Sequence, residues 1–395
     1  MSVTGGSPYL IKGKTGRIQN VKQFDAILFA AVLAVTVAGY YFLYIVRQTF
    51  NGVEGLTDAN MNRQLVAIVI GTVCALLLAS IDYRLYKLPS YIGYIGSVAL
   101  LLLTVLIGAG GVSKGSRSWI TLIGVNFQPS ELAKITFIVV SSAILERISQ
   151  KRATKLDILK LGFYAALPVG LIFLQNDMGT ALVFVFIFAM MIFVSGVKYR
   201  YIFAMLGGGL VSLPLLWTYV LRSYQKIRIM IFLNPDLDKT NMGYQPNLAR
   251  SAIGAGELIG RQIDAPSQAR YSIVPDRHTD FIFTVIAEKT GFIGCVLFIL
   301  LFVVILLRCF YIASKAHDRY GSFMATGLAA MIMFHFIENV GMCIGLMPIT
   351  GIPLPFVSYG GTAMITNFVA IGIILSVSVT RDPPGVIDVN DDLEV

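Results

Sequence analysis

The chain has 395 residues, of which 56% are hydrophobic and 13% charged, with a formal net charge of +9 and a mean hydropathy of +0.75. Soluble domains average about 45–50% apolar and about 25% charged residues, so a water-soluble enzyme is excluded and lipid must solvate much of the surface. The basic balance has no nucleic-acid motif beside it and reads as membrane topology, with an anionic substrate as a second use for some of the cations.

Residues 1–23 form a polar tail carrying Lys12, Lys14, Arg17 and Lys22. No cleavable signal is evident, and the apolar run that follows is long enough to span a bilayer and act as its own insertion signal. A bilayer core requires about 20 apolar residues per helix, which gives about ten spans. They fall at 24–46, 65–81, 91–109, 133–145, 159–174, 180–196, 201–221, 291–312, 323–346 and 361–379. The fold class expected is therefore an all-α polytopic membrane protein, with one transmembrane domain over 24–380 and a polar tail over 381–395. Cys74, Cys295, Cys309 and Cys343 lie in apolar runs without CxxC spacing, which argues against a disulfide framework or a zinc site.

Short-loop bases set orientation. Arg84 and Lys87, then Arg147, Lys151, Arg152 and Lys155, then Lys198 and Arg200, then Lys315 and Arg319 all follow even-numbered spans. They share a side with the basic amino-terminal tail, so both termini are expected in the cytoplasm. The opposite side holds loops at about 110–132, 222–280 and 347–360, and a loop as long as the middle one is expected to be functional. No internal repeat is evident, which counts against an inverted-repeat transporter.

Several polar residues stand at or within the apolar spans. Asp276, Arg277, His278, Thr279 and Asp280 lie where the long loop enters the membrane. Asp280 suits either of two compatible roles: a general base toward a hydroxyl, or an N-cap for the helix that follows. His278 either tunes Asp280 or orders the loop. Glu131 and Lys134, at i, i+3 near a helix start, either pair with each other or touch a substrate. His335 and Glu338 read as an intramembrane hydrogen-bonded pair. The stretch 348–361, rich in Pro and Gly around Ser358 and Tyr359, cannot form a lipid-facing helix and reads as a re-entrant loop.

The segment RHTDFIFTVIAEKTGFIG, residues 277–294, resembles the HTDFIF-x-x-x-x-E-x-x-G signature of the SEDS family of shape, elongation, division and sporulation proteins. Further blocks agree in order: GSRSWI with QPSELAK (Arg117 to Lys134), QNDMGTA (175–181), the start of the long loop around Tyr224, Arg228 and Gly243, and GLMPITGIPLPFVSYGG (345–361). The resemblance spans roughly 24–380. It implies a RodA/FtsW-like peptidoglycan glycosyltransferase that polymerises lipid II outside the cytoplasmic membrane beside a class B penicillin-binding protein. It implies Asp280 as the base on the acceptor GlcNAc 4-hydroxyl, with inversion and departure of undecaprenyl pyrophosphate.

That chemistry calls for preorganised cations at the leaving pyrophosphate. Arg117, Lys114, Arg228 and Arg277 are the candidates, with His278, Ser358 and Tyr359 as further substrate contacts, and the bland alternative for each Arg is a solvated loop charge. Glu131, Lys134, Glu288, Trp119, Gln128, Asp177 and Thr279 are expected as polar support. A divalent cation, Mg or Mn, could share the phosphate, but no ligand cluster assigns one. The partners expected are lipid II, a class B penicillin-binding protein and membrane lipid, without nucleic acid. Departures from the family pattern fall at Ser118, Asn176, Ala255, Glu257 and Lys289, and Arg277 before His278 leans toward the RodA branch. A lipid II flippase and a silent scaffold are the competing readings; the outer-face concentration of polar residues and the intact HTDFIF block favour the enzyme.

Overall fold

The computed structural model describes residues 24–49, 56–108, 117–122, 125–150, 154–196, 207–209, 211, 214–234, 237–238, 243–261 and 276–379. The helices are α1 (Ala26–Thr49), α2 (Asp58–Ala79), α3 (Pro89–Ile107), α4 (Pro129–Ser149), α5 (Lys155–Leu174), α6 (Met178–Val194), α7 (Ser223–Leu233), α8 (Tyr244–Ala255), α9 (Ile282–Ser314), α10 (Arg319–Ile344) and α11 (Gly361–Val379). A two-stranded antiparallel hairpin, β1 (Ile120–Leu122) and β2 (Val125–Phe127), joins α3 to α4 with Thr121 opposite Asn126. This is the expected all-α polytopic membrane fold.

Among the described residues seven helices, α1, α2, α3, α5, α9, α10 and α11, are long and apolar enough to cross a membrane, and α6 is apolar but shorter. Helix α4 has the length, but its buried face carries Glu131, Lys134, Ser141 and Ser142. Such a composition belongs inside a bundle rather than against lipid. The expected span 201–221 is described only in part, including a π-helical turn over Leu216–Val220. The tails 1–23 and 381–395 and Lys114 lie outside the described residues.

Two expected boundaries are corrected. Helix α2 starts at Asp58 rather than 65, because the Thr57 side chain accepts from Asn60 N and caps polar turns that an apolar ruler misses. Helix α9 starts at Ile282 rather than 291. Its two halves meet at Gly291 (φ 66°, ψ −165°); the half over 282–288 is buried, and Phe292 and Ile293 beyond the break are exposed. The freed backbone groups at the break pair with the turn after α8. Arg261 N donates to Glu288 O, Phe292 N to Glu257 O and Ile293 N to Leu258 O.

Helices α10 and α11 form the buried centre, while α2, α3, α5 and α9 keep broad apolar faces outward. Four ion pairs gather at one end, Arg308–Asp25 at 2.5 Å, Arg84–Asp318 at 3.4 Å, Arg147–Asp157 at 3.4 Å, and Lys87–Glu146, while Arg47–Asp58 at 2.5 Å lies at the other. The chain from 345 to 360 re-enters the other end and threads against α1, where Gly39 leaves room for it. A Cβ at Gly39 would lie 2.7 Å from Val357 Cα and 3.1 Å from Phe356 O.

Both atoms are backbone, so a Gly39→Val substitution must displace the re-entrant loop. We expect it to lower stability by about 1–3 kcal/mol, read as a fall in melting temperature of the detergent-solubilised protein. Gly96→Val, where a Cβ meets nothing within 4 Å, should melt as the wild type does. Equal melting of both variants would contradict the threading described.

Candidate active site

The site begins with a backbone problem. Helix α10 ends at Gly345 in the left-handed conformation (φ 78°), and the prolines at 348, 353 and 355 forbid a new helix. The chain nonetheless runs inside protein, with Ile352 at 3% exposure and Leu354, Phe356 and Val357 at or below 1%. Buried backbone without helical partners must find others, and side chains from the surrounding helices supply them. Gln64 of α2 donates to Ser358 O (3.2 Å) and accepts from Gly360 N (3.1 Å). Ser358 Oγ accepts from Leu354 N (2.8 Å). Arg228 of α7 donates to Ile349 O (3.1 Å), and Thr350 Oγ1 donates to Glu338 Oε1 (2.8 Å).

The same loop holds the turn that carries Asp280. Asp276 adopts positive φ (56°), and its carbonyl accepts from Thr279 N, Asp280 N and Phe281 N at 3.0–3.3 Å. The next carbonyls then point to the loop and α10. His278 O accepts from Tyr359 N (2.8 Å), Thr279 O from Ser358 Oγ (2.5 Å), and Asp280 O from Asn339 Nδ2 (2.7 Å). The rings of His278 and Tyr359 stand 5.9 Å apart. Asp280 is half-buried and Arg277 is 2% exposed. Gly351, at φ 78°, closes on the carboxylate, since a Cβ there would lie 3.3 Å from Asp280 Oδ2. The N-cap reading of Asp280 is corrected: Phe281 occupies that position, because the turn closed by Asp276 delays the helix.

A second polar group lies within the bundle. Lys134 Nζ donates to Glu131 Oε1 (2.8 Å) and to His335 Nε2 (2.9 Å), and all three residues are buried. His335 Nδ1 must carry the proton, since it lies 2.6 Å from Met331 O and a carbonyl only accepts. With both ring nitrogens used, His335 does not pair with Glu338 as the sequence suggested; Glu338 serves Thr350 instead. Gln128 reaches Asp177 at 3.5 Å, and Asp177 Oδ1 caps α6 through Thr180 N (3.0 Å). Asp177 keeps some exposure, but burial of its carboxyl raises the pKa above the ordinary value. This group adjoins the loop where Gly179 packs on Thr350.

A third feature is a recess of about 420 Å³ lined by Val105, Arg117, Leu174, Gln175, Asn176 and Arg222. Arg117 N is fixed by Gln175 O (3.0 Å). The sequence singled out Arg117 but not Arg222; only the fold brings the two together. Arg228 donates to the re-entrant loop and lies 5.9 Å from the ring of Tyr224, whose hydroxyl donates to Asn176 O (3.1 Å). Trp119 is half-buried beside the hairpin, and Glu288 is buried on α9. Gln64 and Asn339 were missed as well, because a single amide within an apolar span carries no motif. Among the described residues no group of three or more His, Cys, Asp or Glu could hold a metal ion.

Comparison with known proteins agrees over most of the chain. Residues 25–382 match the FtsW/RodA/SpoVE family model, described as cell cycle protein. A probable peptidoglycan glycosyltransferase FtsW of Trichlorobacter lovleyi is 34% identical over 90% of this chain and 93% of its own length. The peptidoglycan glycosyltransferase MrdB of Escherichia coli is 32% identical over 81% and 86%. Among solved structures, a chain of a peptidoglycan synthase complex superposes with a TM-score of 0.77 at 29% identity, covering 91% of this chain and 99% of that one. The rod shape determining protein RodA of Thermus thermophilus gives 0.67 at 28% identity, covering 91% and 98%.

Asp177 generates a stability prediction. Its raised pKa means that the folded state holds the proton more tightly than the unfolded chain, whose value is about 3.9. The associated stability is complete below that value and is lost as pH rises through the folded pKa. Asp177→Asn keeps the cap without the charge, so its melting temperature should vary less than the wild type's between about pH 4 and 7. Asp177→Ala also loses the cap and should cost about 1 kcal/mol more. An unchanged pH dependence in Asp177→Asn would contradict the desolvated carboxylate.

Proposed function

The chain belongs to the FtsW/RodA/SpoVE family of cell cycle proteins, and on that premise we propose that it is a peptidoglycan glycosyltransferase polymerising lipid II into glycan strands. The observation that carries the assignment of the site is the grip on three successive carbonyls, those of His278, Thr279 and Asp280. That grip fixes the backbone beneath the Asp280 carboxyl, and a fixed base is what a proton transfer in the transition state requires.

In this reading Asp280 takes the proton of the acceptor GlcNAc 4-hydroxyl as its oxygen bonds to the anomeric carbon of the donor MurNAc. The bond from that carbon to the pyrophosphate oxygen breaks on the opposite face. Undecaprenyl pyrophosphate leaves with the electron pair, and the configuration inverts. Negative charge grows on the pyrophosphate, and the recess holding Arg117 and Arg222 offers two guanidinium groups to receive it. The recess and the catalytic turn flank one stretch of structure, since the 175–177 turn leads into Gly179, Gly179 packs on Thr350 and Gly351 faces Asp280.

The ion-paired basic end is assigned to the cytoplasm with both termini, and the site to the outer face of the cytoplasmic membrane. The partner expected there is a class B penicillin-binding protein, which would cross-link the strands; the solved chain from a peptidoglycan synthase complex supports that pairing.

Full-length protein, alone and with its penicillin-binding partner, should convert labelled lipid II into long glycan strands. Asp280→Asn and Asp280→Ala should each reduce polymerisation at least ~100-fold while eluting as folded protein. Joint replacement of Arg117 and Arg222 by Gln should lower kcat/KM by about 100-fold. Wild-type rates from the Asp280 variants would remove that residue from the chemistry, and absence of product from the partnered wild type would overturn the polymerase reading.

A further inference from the structure

Asn339 lies in the penultimate turn of α10, fully buried, and no sequence motif singles it out. Its Nδ2 lies 2.7 Å from Asp280 O and 2.8 Å from Ile352 O. Two carbonyls can only accept, so the atom facing both is the nitrogen, and one amide donates to each. The acceptors belong to different segments: Asp280 ends the catalytic turn, and Ile352 follows Gly351 in the re-entrant loop. Gly351 is the residue whose Cβ position lies 3.3 Å from Asp280 Oδ2. One side chain therefore ties the backbone of the acid to the backbone of the wall that faces it.

The remaining atom of that side chain sharpens the case. Asn339 Oδ1 is buried without a hydrogen-bond partner among the described residues. A buried unmatched acceptor opposes folding, and a Leu of similar volume would remove it. An amide is explained here by its two donated bonds. Neighbouring polar groups are otherwise engaged: Glu338 by Thr350 and His335 by Lys134 and Met331. Cys343 Sγ, at 3.9 Å from Asp280 O, is a weak donor that does not reach the loop.

We propose that Asn339 is a positioning residue for glycosyl transfer, holding the turn of Asp280 in register with the re-entrant loop at Gly351. This rests on the reading of Asp280 as the base. Asn339 does not touch the reacting atoms; its effect runs through the distance and angle at which the carboxylate meets the acceptor hydroxyl. Loss of the tie should therefore lower turnover more than substrate affinity.

The test uses full-length protein with its penicillin-binding partner and labelled lipid II. Asn339→Leu removes both donors, and the near-isosteric Asn339→Asp carries the test if the Leu variant fails to elute as folded protein. Asn339→Leu should lower kcat about 10- to 100-fold with KM within about threefold of wild type. Asn339→Asp supplies a signature that a merely structural role would lack. Its carboxylate would repel both carbonyls, whereas its protonated form can donate one bond. Its rate relative to wild type, taken at each pH, should thus recover at least about fivefold between about pH 8 and pH 6. Asp280, His278, Glu338 and the substrate are present in both experiments, so the ratio divides out the pH dependence that the two proteins have in common.

Folded variants with wild-type kcat, or a reduced Asn339→Asp rate whose ratio is flat with pH, would overturn the role of Asn339. Asp280→Asn runs beside them. If it is inactive while the Asn339 variants are unimpaired, only this inference falls. If it is active, the base reading falls and this inference with it.

Discussion

Non-helical backbone inside an apolar bundle has to bring its hydrogen-bond partners with it or borrow them, and the stretch from 345 to 360 borrows them. Its centre, at Ile352, Leu354 and 355–358, is buried, and three prolines deny it helical pairing. Gln64, Glu338, Asn339 and Arg228, from three helices, supply the missing partners or engage the loop's own side chains. A loop fixed in this way is rigid enough to act as scaffold for something else. Its Tyr359 N–H and Ser358 hydroxyl, with Asn339 between loop and turn, fix the carbonyls of His278, Thr279 and Asp280. The acid's position is thus a consequence of how buried backbone is satisfied.

The same economy explains the polar groups around the site. Lys134 is stripped of water but keeps Glu131 and a neutral His335, an arrangement that braces α4 against α10 without leaving an unmatched charge. This deep pair is consumed by its own partners, which favours a structural part over a translocation path. The arginines of the recess differ in kind. Arg117 and Arg222 are exposed and line open volume, as a site for a mobile anionic group requires. Charge engaged by the fold and exposed charge lining open volume therefore sit in separate places, joined by the packing of Gly179 on Thr350.

Much of the fold was legible in the sequence because lipid imposes a simple ruler. Apolar runs located the spanning helices, and the clustering of Arg84, Lys87 and Arg147 with acidic partners at one end follows the charge pattern of the loops. The ruler failed where a helix turns inward: the first half of α9 is buried beside Glu288, and its break at Gly291 is set by the turn after α8. At the site, Asp280, His278, Ser358 and Tyr359 stood out through their block of neighbours. Asn339, Gln64 and Arg222 did not, because their importance lies in contacts between segments distant in sequence. The His335–Glu338 pairing looked natural at i, i+3 and is wrong because Lys134 and Thr350 compete for the two residues.

The central claim is that substrate is processed between the Asp280 turn and the re-entrant loop. A lipid II analogue carrying a photoreactive diazirine on its GlcNAc, bound to the full-length protein in membranes and cross-linked by light, tests it directly through mapping of the labelled peptides. Adducts concentrated in 276–281 and 349–359, and displaced by unlabelled lipid II, are the predicted result. Displaceable adducts confined to the ion-paired end around Arg84, Glu146 and Asp318 would place the substrate elsewhere and contradict the account.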